Sequence, residues 1–171
     1  MTTHVLAQNE FGEYYAKYIA LATDDDIITG LEKNRDMTLK FIGSLTEAQL
    51  NYAYAEGKWT IKEILVHLID SERVFSYRAL RFARFDNTNL PGYEHNDYVV
   101  QSDANIRSIE AIMEEYKAVR NATIALFKNL NDKALQFIGT ANGAPISVRA
   151  LGFIIIGHER HHSSIIRERY L

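Results

Sequence analysis

The chain contains no cysteine and only two prolines, Pro91 and Pro145, in 171 residues. Without cysteine there is no disulfide, no thiolate metal site and no protein-borne cysteine nucleophile, a composition compatible with a reducing cytosol. With so little proline, and no low-complexity segment or internal repeat, nothing marks a linker, and one domain over 1–171 is expected. No apolar run approaches the ~18 residues of a membrane span. Met1-Thr2-Thr3-His4-Val5-Leu6 lacks a basic segment followed by an apolar one, so the expectation is a soluble, cytoplasmic protein. Blocks of like charge are also missing apart from Asp24-Asp25-Asp26, and the formal net charge is −3. That balance calls for neither nucleic acid nor an anionic membrane as partner.

What the chain does have is apolar periodicity, with 47% hydrophobic residues to fill a core. The acidic triplet Asp24 to Asp26 suits a helix N-terminus. Ile27, Ile28, Leu31, Thr38, Leu39 and Ile42 then continue at helical spacing until Gly43 and Ser44. Thr46-Glu47-Ala48-Gln49 has the form of a capping box in the connection that follows. Thr60-Ile61-Lys62-Glu63 is a second one, opening a helix through Ile64, Leu65, Leu68, Ile69, Phe75, Ala79 and Phe82 to about Arg84. Ile106, Ile109, Met113, Tyr116, Thr123, Phe127 and Leu130 describe a third helix starting from Asp103. Ser147 is the expected N-cap of a fourth. The segment Phe11 to Ala22 is aromatic but irregular, and is expected to pack across the outside of the core. Asp86 to Ser102 reads as a long loop able to cover a site, and Asn129 to Pro145 as a polar connection. Four helices with one apolar face each make an all-α four-helix bundle, with connections long enough to cross over.

Two features sit awkwardly in such a core. Arg120 falls on the apolar seam of the third helix, where it must either snorkel to solvent, the favoured reading, or meet an acidic or anionic group inside. His158 and His162 lie one turn apart near the middle of the stripe formed by Leu151, Ile154, Ile155, Ile165 and Ile166. A pair at this spacing can reach one metal ion, although a third ligand is missing from the helix itself. His67 lies on the flank of its own helix, about 120° from the centre of the apolar face, where periodicity makes it an exposed or boundary residue.

The stretch Lys58-Trp59-Thr60-Ile61-Lys62-Glu63-Ile64-Leu65-Val66-His67-Leu68-Ile69-Asp70-Ser71-Glu72-Arg73 resembles the DinB-like superfamily, close to its YfiT branch. So do Tyr77-Arg78-Ala79-Leu80-Arg81, Gly157-His158-Glu159-Arg160-His161-His162 and the terminal Arg167-Glu168-Arg169-Tyr170-Leu171. The likeness extends over nearly the whole chain and keeps the order of the motifs. It implies a four-helix bundle holding one divalent metal on His67, His158 and His162, with no departure at those positions. It also implies that His67 turns into the bundle interior. Members are provisionally described as metal-dependent hydrolases, and one group resembles transferases joining bacillithiol or a related small thiol to electrophiles.

Three neutral imidazoles suit zinc or nickel first, with iron and manganese as further options, and leave coordination positions open. The expected activity is therefore thiol transfer, with hydrolysis as the alternative and a non-catalytic metal-binding or dimerising helical module as a third reading. The partners would be a small-molecule thiol and an electrophile, and pairing of two copies through a helix face stays open. Asp70, Glu159 and His161 could orient a ligand imidazole or shuttle a proton. For Glu159 and His161 an exposed or interhelical salt-bridge role is an equal alternative. Arg120, if it faces inward, could contact an anionic group of the thiol.

Overall fold

The computed structural model of the chain describes residues 6–24 and 26–171. Four long helices form the bundle: α1 (Ile27–Ile42), α2 (Ile61–Ala83), α3 (Ile109–Lys128) and α4 (Val148–Arg169). Each begins where a side-chain oxygen takes up one orphan backbone donor of the first turn. Asp26, Thr60, Ser108 and Ser147 accept from the backbone N–H of Thr29, Glu63, Ala111 and Ala150. Glu63 closes the Thr60 box by accepting from the Thr60 N–H at 2.7 Å, and Thr46 with Gln49 opens a single turn over Glu47–Leu50 in the same way. Of the acidic triplet Asp26 is thus the cap, while Asp25 and the first five residues lie outside the described residues.

The packed helix pairs are α2 with α3, α2 with α4, α1 with α3 and α1 with α4. Consecutive helices α1 and α2 are therefore diagonal, and the connection between them crosses the end of the bundle. Two apolar clusters fill the interior. One gathers Leu31, Phe75, Phe82, Leu151, Ile154 and Ile155, the other Ile42, Leu65, Ile69, Ile112, Tyr116 and Ile166. Along every helix the residues between these clusters are buried and polar: Asn34 and Thr38, Ser71 and Glu72, Arg120, then His158 and Glu159. The bundle has a polar layer across its middle.

Three expectations change on contact with the structure. α3 starts at Ile109, because Asp103 takes a left-handed conformation (φ 52°) and a separate turn spans Ala104–Ile106; Ile106 is 84% exposed and leaves the seam. The 129–147 connection holds a short helix, Asp132–Gln136, and an antiparallel hairpin of β1 (Ile138–Ala141) and β2 (Ala144–Ser147). Its turn residues Asn142 and Gly143 both have positive φ (51° and 74°), the pattern whose twist matches a two-residue hairpin. The stretch 86–102 is tied to that hairpin rather than loose: the Leu90 N–H donates to Thr140 O at 3.0 Å and the Asn142 N–H to Leu90 O at 2.9 Å. A helix over His95–Val100 follows, capped by Glu94. Among the described residues no helix is long and apolar enough to cross a membrane.

Candidate metal centre

α2 and α4 meet so that three imidazoles converge. The Nε2 atom of His158 lies 3.2 Å from Nε2 of His67 and 3.2 Å from Nε2 of His162, and one ring nitrogen from each of the three falls within 4.8 Å of the others. Nitrogens bound tetrahedrally at 2.0–2.1 Å lie about 3.3 Å from one another, so the donor set fits a divalent ion. Burial holds all three imidazoles in the neutral form that ligation needs. It pushes His67 down to about 4 and His162 to about 3, and His158 well below its ordinary value, with the neighbouring histidines adding to the effect.

The third imidazole is the one that periodicity misplaced. His67 is only 7% exposed because α2 is wrapped on more than one side, with 15 of its 23 residues buried. Trp59 stacks at a tilt over its ring at 4.9 Å. On its far side Nδ1 faces the Ser71 hydroxyl at 3.5 Å, and that hydroxyl shares a 2.8 Å hydrogen bond with the Tyr93 phenol. A proton on Nδ1 would leave Nε2 free to ligate, and the Ser71 hydroxyl is placed to accept from it while donating to Tyr93. His158 is seated by Gly157: a Cβ there would stand 1.7 Å from the carbonyl oxygen of Tyr18. The amino-terminal segment therefore rests directly on α4, and the Tyr18 ring meets His158 edge-on at 5.1 Å. The aromatic segment predicted to pack outside the core is a wall of the site.

A cavity of about 450 Å³ opens over the three histidines. Its aromatic side is Tyr14, Tyr15, Tyr18, Trp59, Phe75 and Tyr93, and its polar side includes Ser71, Arg78, His95 and Asn142. The 86–102 stretch does cover a site, as its length suggested, with Gly92, Tyr93, Glu94 and His95 on the cavity.

Of the expected helpers, none joins the imidazole cluster. Asp70 pairs with Arg73 at 3.6 Å, and burial raises its carboxyl above the usual range. His161 is half-buried against Tyr18 and His162, with burial lowering its imidazole. Glu159 turns away from the histidines into the bundle, where its carboxylate accepts from Thr38 (2.7 Å), Asn34 (3.0 Å), Tyr116 (2.5 Å) and Arg120 (2.8 Å). Burial alone would raise that carboxyl, but Arg120 and these donors hold it below the ordinary value. Arg120 does not snorkel. At 1% exposure it forks onto both oxygens of Glu72 (2.9 and 2.8 Å), reaches Glu159, and donates to Leu31 O at 3.1 Å. With those partners it offers nothing to a substrate, which corrects its expected role as an anion contact. Residues that periodicity did not single out as pocket residues are Trp59, Arg78, Tyr93, His95 and Asn142; Trp59 and Arg78 lie in stretches that carry the family resemblance, and Tyr93 and His95 in the long 86–102 stretch.

A bundle with three convergent imidazoles at the floor of an aromatic cavity defines a class of protein, the metal-site four-helix bundles. Within it the assignment is specific: the sequence profile of the DinB superfamily matches residues 30–166, and the chain belongs to that superfamily. A relative from Oceanobacillus iheyensis, provisionally named a metal-dependent hydrolase, is 26% identical over 129 residues, covering 74% of this chain and 73% of its own. A similarly named protein of Geobacillus thermodenitrificans is 21% identical over 141 residues, 81% of this chain and 79% of the relative. The fold is that of YfiT from Bacillus subtilis, described as a probable metal-dependent hydrolase with an unusual four-helix bundle topology. The TM-score is 0.66 at 17% identity, over 98% of this chain and 90% of that one.

Proposed function

We propose that the protein is a divalent-metal-dependent transferase that joins a low-molecular-weight thiol of the bacillithiol type to an electrophile. The observation that supports this over hydrolysis is the disposition of carboxylates. Water as nucleophile asks for a group that takes its proton and returns one to the leaving group. The carboxylates near the three histidines are otherwise engaged: Glu159 and Glu72 with Arg120, Asp70 with Arg73, and Glu94 with the N–H of Asn96. A thiol needs less help, having an unperturbed pKa near 8.5. The sulfur must come from the substrate, since the chain has none to offer as a thiol.

A divalent ion on the three Nε2 atoms, zinc or nickel by ligand type, would supply the acidity that turns a coordinating thiol into thiolate at neutral pH. The chain's own residues do the rest. The neutral imidazoles hold the site open, Ser71 and Tyr93 fix the His67 ring, and Trp59, Tyr18 and Phe75 keep one side of the reacting sulfur dry. In the transfer the thiol proton goes to solvent, an S–C bond forms, and the bond from carbon to the leaving group breaks, that group keeping the electron pair.

The test is turnover of an alkylating probe with bacillithiol, coenzyme A, glutathione and cysteine, by metal-loaded, metal-free and His158→Ala protein. The expected gain over background is confined to the metal-loaded form and largest at pH 6 to 7, where free thiolate is scarcest. The second reading, hydrolysis, is favoured by the names of the relatives. Cleavage of an ester or amide without thiol dependence would establish it in place of the first.

A further inference from the structure

The two innermost arginines of the bundle are solved differently. Arg120 is surrounded by carboxylates, whereas Arg78, 3% exposed, has neutral oxygens beside it: its Nη2 donates to Pro91 O at 2.9 Å, and the Tyr15 phenol is a second hydrogen-bonding neighbour. Among the described residues no carboxylate forms an ion pair with it. A guanidinium carries five N–H donors, and a positive charge this deep, met by neutral oxygens and the open cavity, gains from an anion arriving to meet it. What it faces is the cavity above the three histidines, beside the phenols of Tyr15 and Tyr93 and the side chain of Asn142. Burial raises both phenols while the neighbouring guanidinium opposes the rise, which places all three groups in one electrostatic neighbourhood.

The spacing along α2 gives the distance. At 100° per residue His67, Ser71 and Arg78 fall within about 40° of one another and Phe75 within about 80° of His67, and all four line the cavity. Eleven residues at 1.5 Å span about 16 Å of helix axis. An arginine side chain on a helix leans toward the N-terminus, here toward His67, and closes part of that gap. We propose that Arg78 is the subsite for an oxyanion of the substrate, carboxylate or phosphate, whose reacting atom sits at His67, His158 and His162. The proposal rests on the functional reading above for what occupies the histidine end; the anion end stands on Arg78 itself. The planar fork of the guanidinium suits bidentate capture of either oxyanion.

The probe is a series of straight-chain ω-mercapto acids of three to eight carbons, their methyl esters, and the matching ω-mercaptoalkyl phosphates. Each is titrated into cobalt-loaded protein, with binding read from the thiolate-to-cobalt absorption rather than from turnover. The acid or the phosphate should bind about 10- to 100-fold more tightly than the ester, the range of a charge-assisted hydrogen-bonded pair. That preference should peak at an intermediate chain length, collapse in Arg78→Gln, and return in part in Arg78→Lys. Equal affinity of anion and ester in the wild-type protein overturns the proposal without any variant, which matters because Arg78 also holds Pro91. A preference that survives in folded, metal-loaded Arg78→Gln overturns it too. The two readings fail separately. If no thiol coordinates, but propionate or methyl phosphate still raises the melting temperature of wild type and not of Arg78→Gln, the transferase falls and the anion subsite stands.

Discussion

His158 and Glu159 are neighbours on α4, both closed off from solvent, and the bundle treats them in opposite ways. Glu159 is charged and fully met, by Arg120, Tyr116, Thr38 and Asn34. His158 is neutral, touching two other imidazoles whose lone pairs converge with its own. One side chain has its partners built in, and the other is arranged for a partner from outside. The contrast separates what holds the fold from what equips it: the Glu72–Arg120–Glu159 network fastens α2, α3 and α4 together, while the histidine cluster one residue away brings three ring nitrogens to one point.

Several measurements would break or sharpen that contrast. The largest effect should fall on ligation. His67→Ala, His158→Ala or His162→Ala should abolish stoichiometric metal binding in elemental analysis, whereas His161→Ala should retain it, weakened by no more than about 10- to 100-fold. Retention in His158→Ala together with loss in His161→Ala would reverse the assignment. Arg120→Ala should do what the histidine variants do not. It leaves two buried carboxylates facing each other, and urea unfolding of the metal-free protein should show a loss of about 3–5 kcal/mol. His158→Ala in the same metal-free assay should cost far less. Chelation of the loaded wild-type protein comes next: a ligand at 1,000 times its dissociation constant contributes about 4 kcal/mol, so the melting temperature should fall and recover on reloading. A melting curve indifferent to verified metal removal would place the ion outside the native core.

The smallest expected effect lies at the periphery. Glu10 accepts from Ser147 at 2.8 Å and from Arg149, tying the amino-terminal segment to the start of α4. Burial pushes its carboxyl upward, but Arg149, the Ala7 N–H and Ser147 leave it below the ordinary carboxylate value. A carboxyl depressed in the folded state stabilises above its unfolded pKa, near 4.3, and that stabilisation is lost as the pH falls through the lower folded value. Glu10→Gln should therefore cost about 1–2 kcal/mol at pH 7. Its difference from wild type should shrink toward zero as acid melts are taken below about pH 4. A constant difference across that range would mean the contact matters for shape and not for charge.

Much of this was visible in the chain before any coordinates. The caps at Thr46, Thr60 and Ser147 are local chemistry, so they read directly from sequence, and His158 with His162 needs only one helix to define a shared face. His67 does not follow from its own helix, because a wheel assumes a single buried side, and α2 is enclosed on several. The family resemblance supplied what the wheel could not. Arg120 was misjudged for a related reason. A lone cation on an apolar seam reads as a snorkeller, and only the packing of α2 and α4 around α3 shows that Glu72 and Glu159 arrive from other helices to meet it. The hairpin lies in a stretch expected only as a polar connection, because its strands of four residues each are too short to show a period of two.

The three histidines sit on bundle helices, but most of the cavity wall does not. Tyr14, Tyr15 and Tyr18 precede α1, Gly92 to His95 belong to the α2–α3 connection, and Asn142 is a hairpin turn residue. The last two segments are stapled to each other through Leu90 and Asn142, and the amino-terminal one bridges to the hairpin where Phe11 pairs with Ile146. For an evolving lineage this is a division of labour between inheritance and experiment. Insertions and substitutions in the wall can retarget the pocket without touching the three histidines, so a relative that kept all three need not share a substrate.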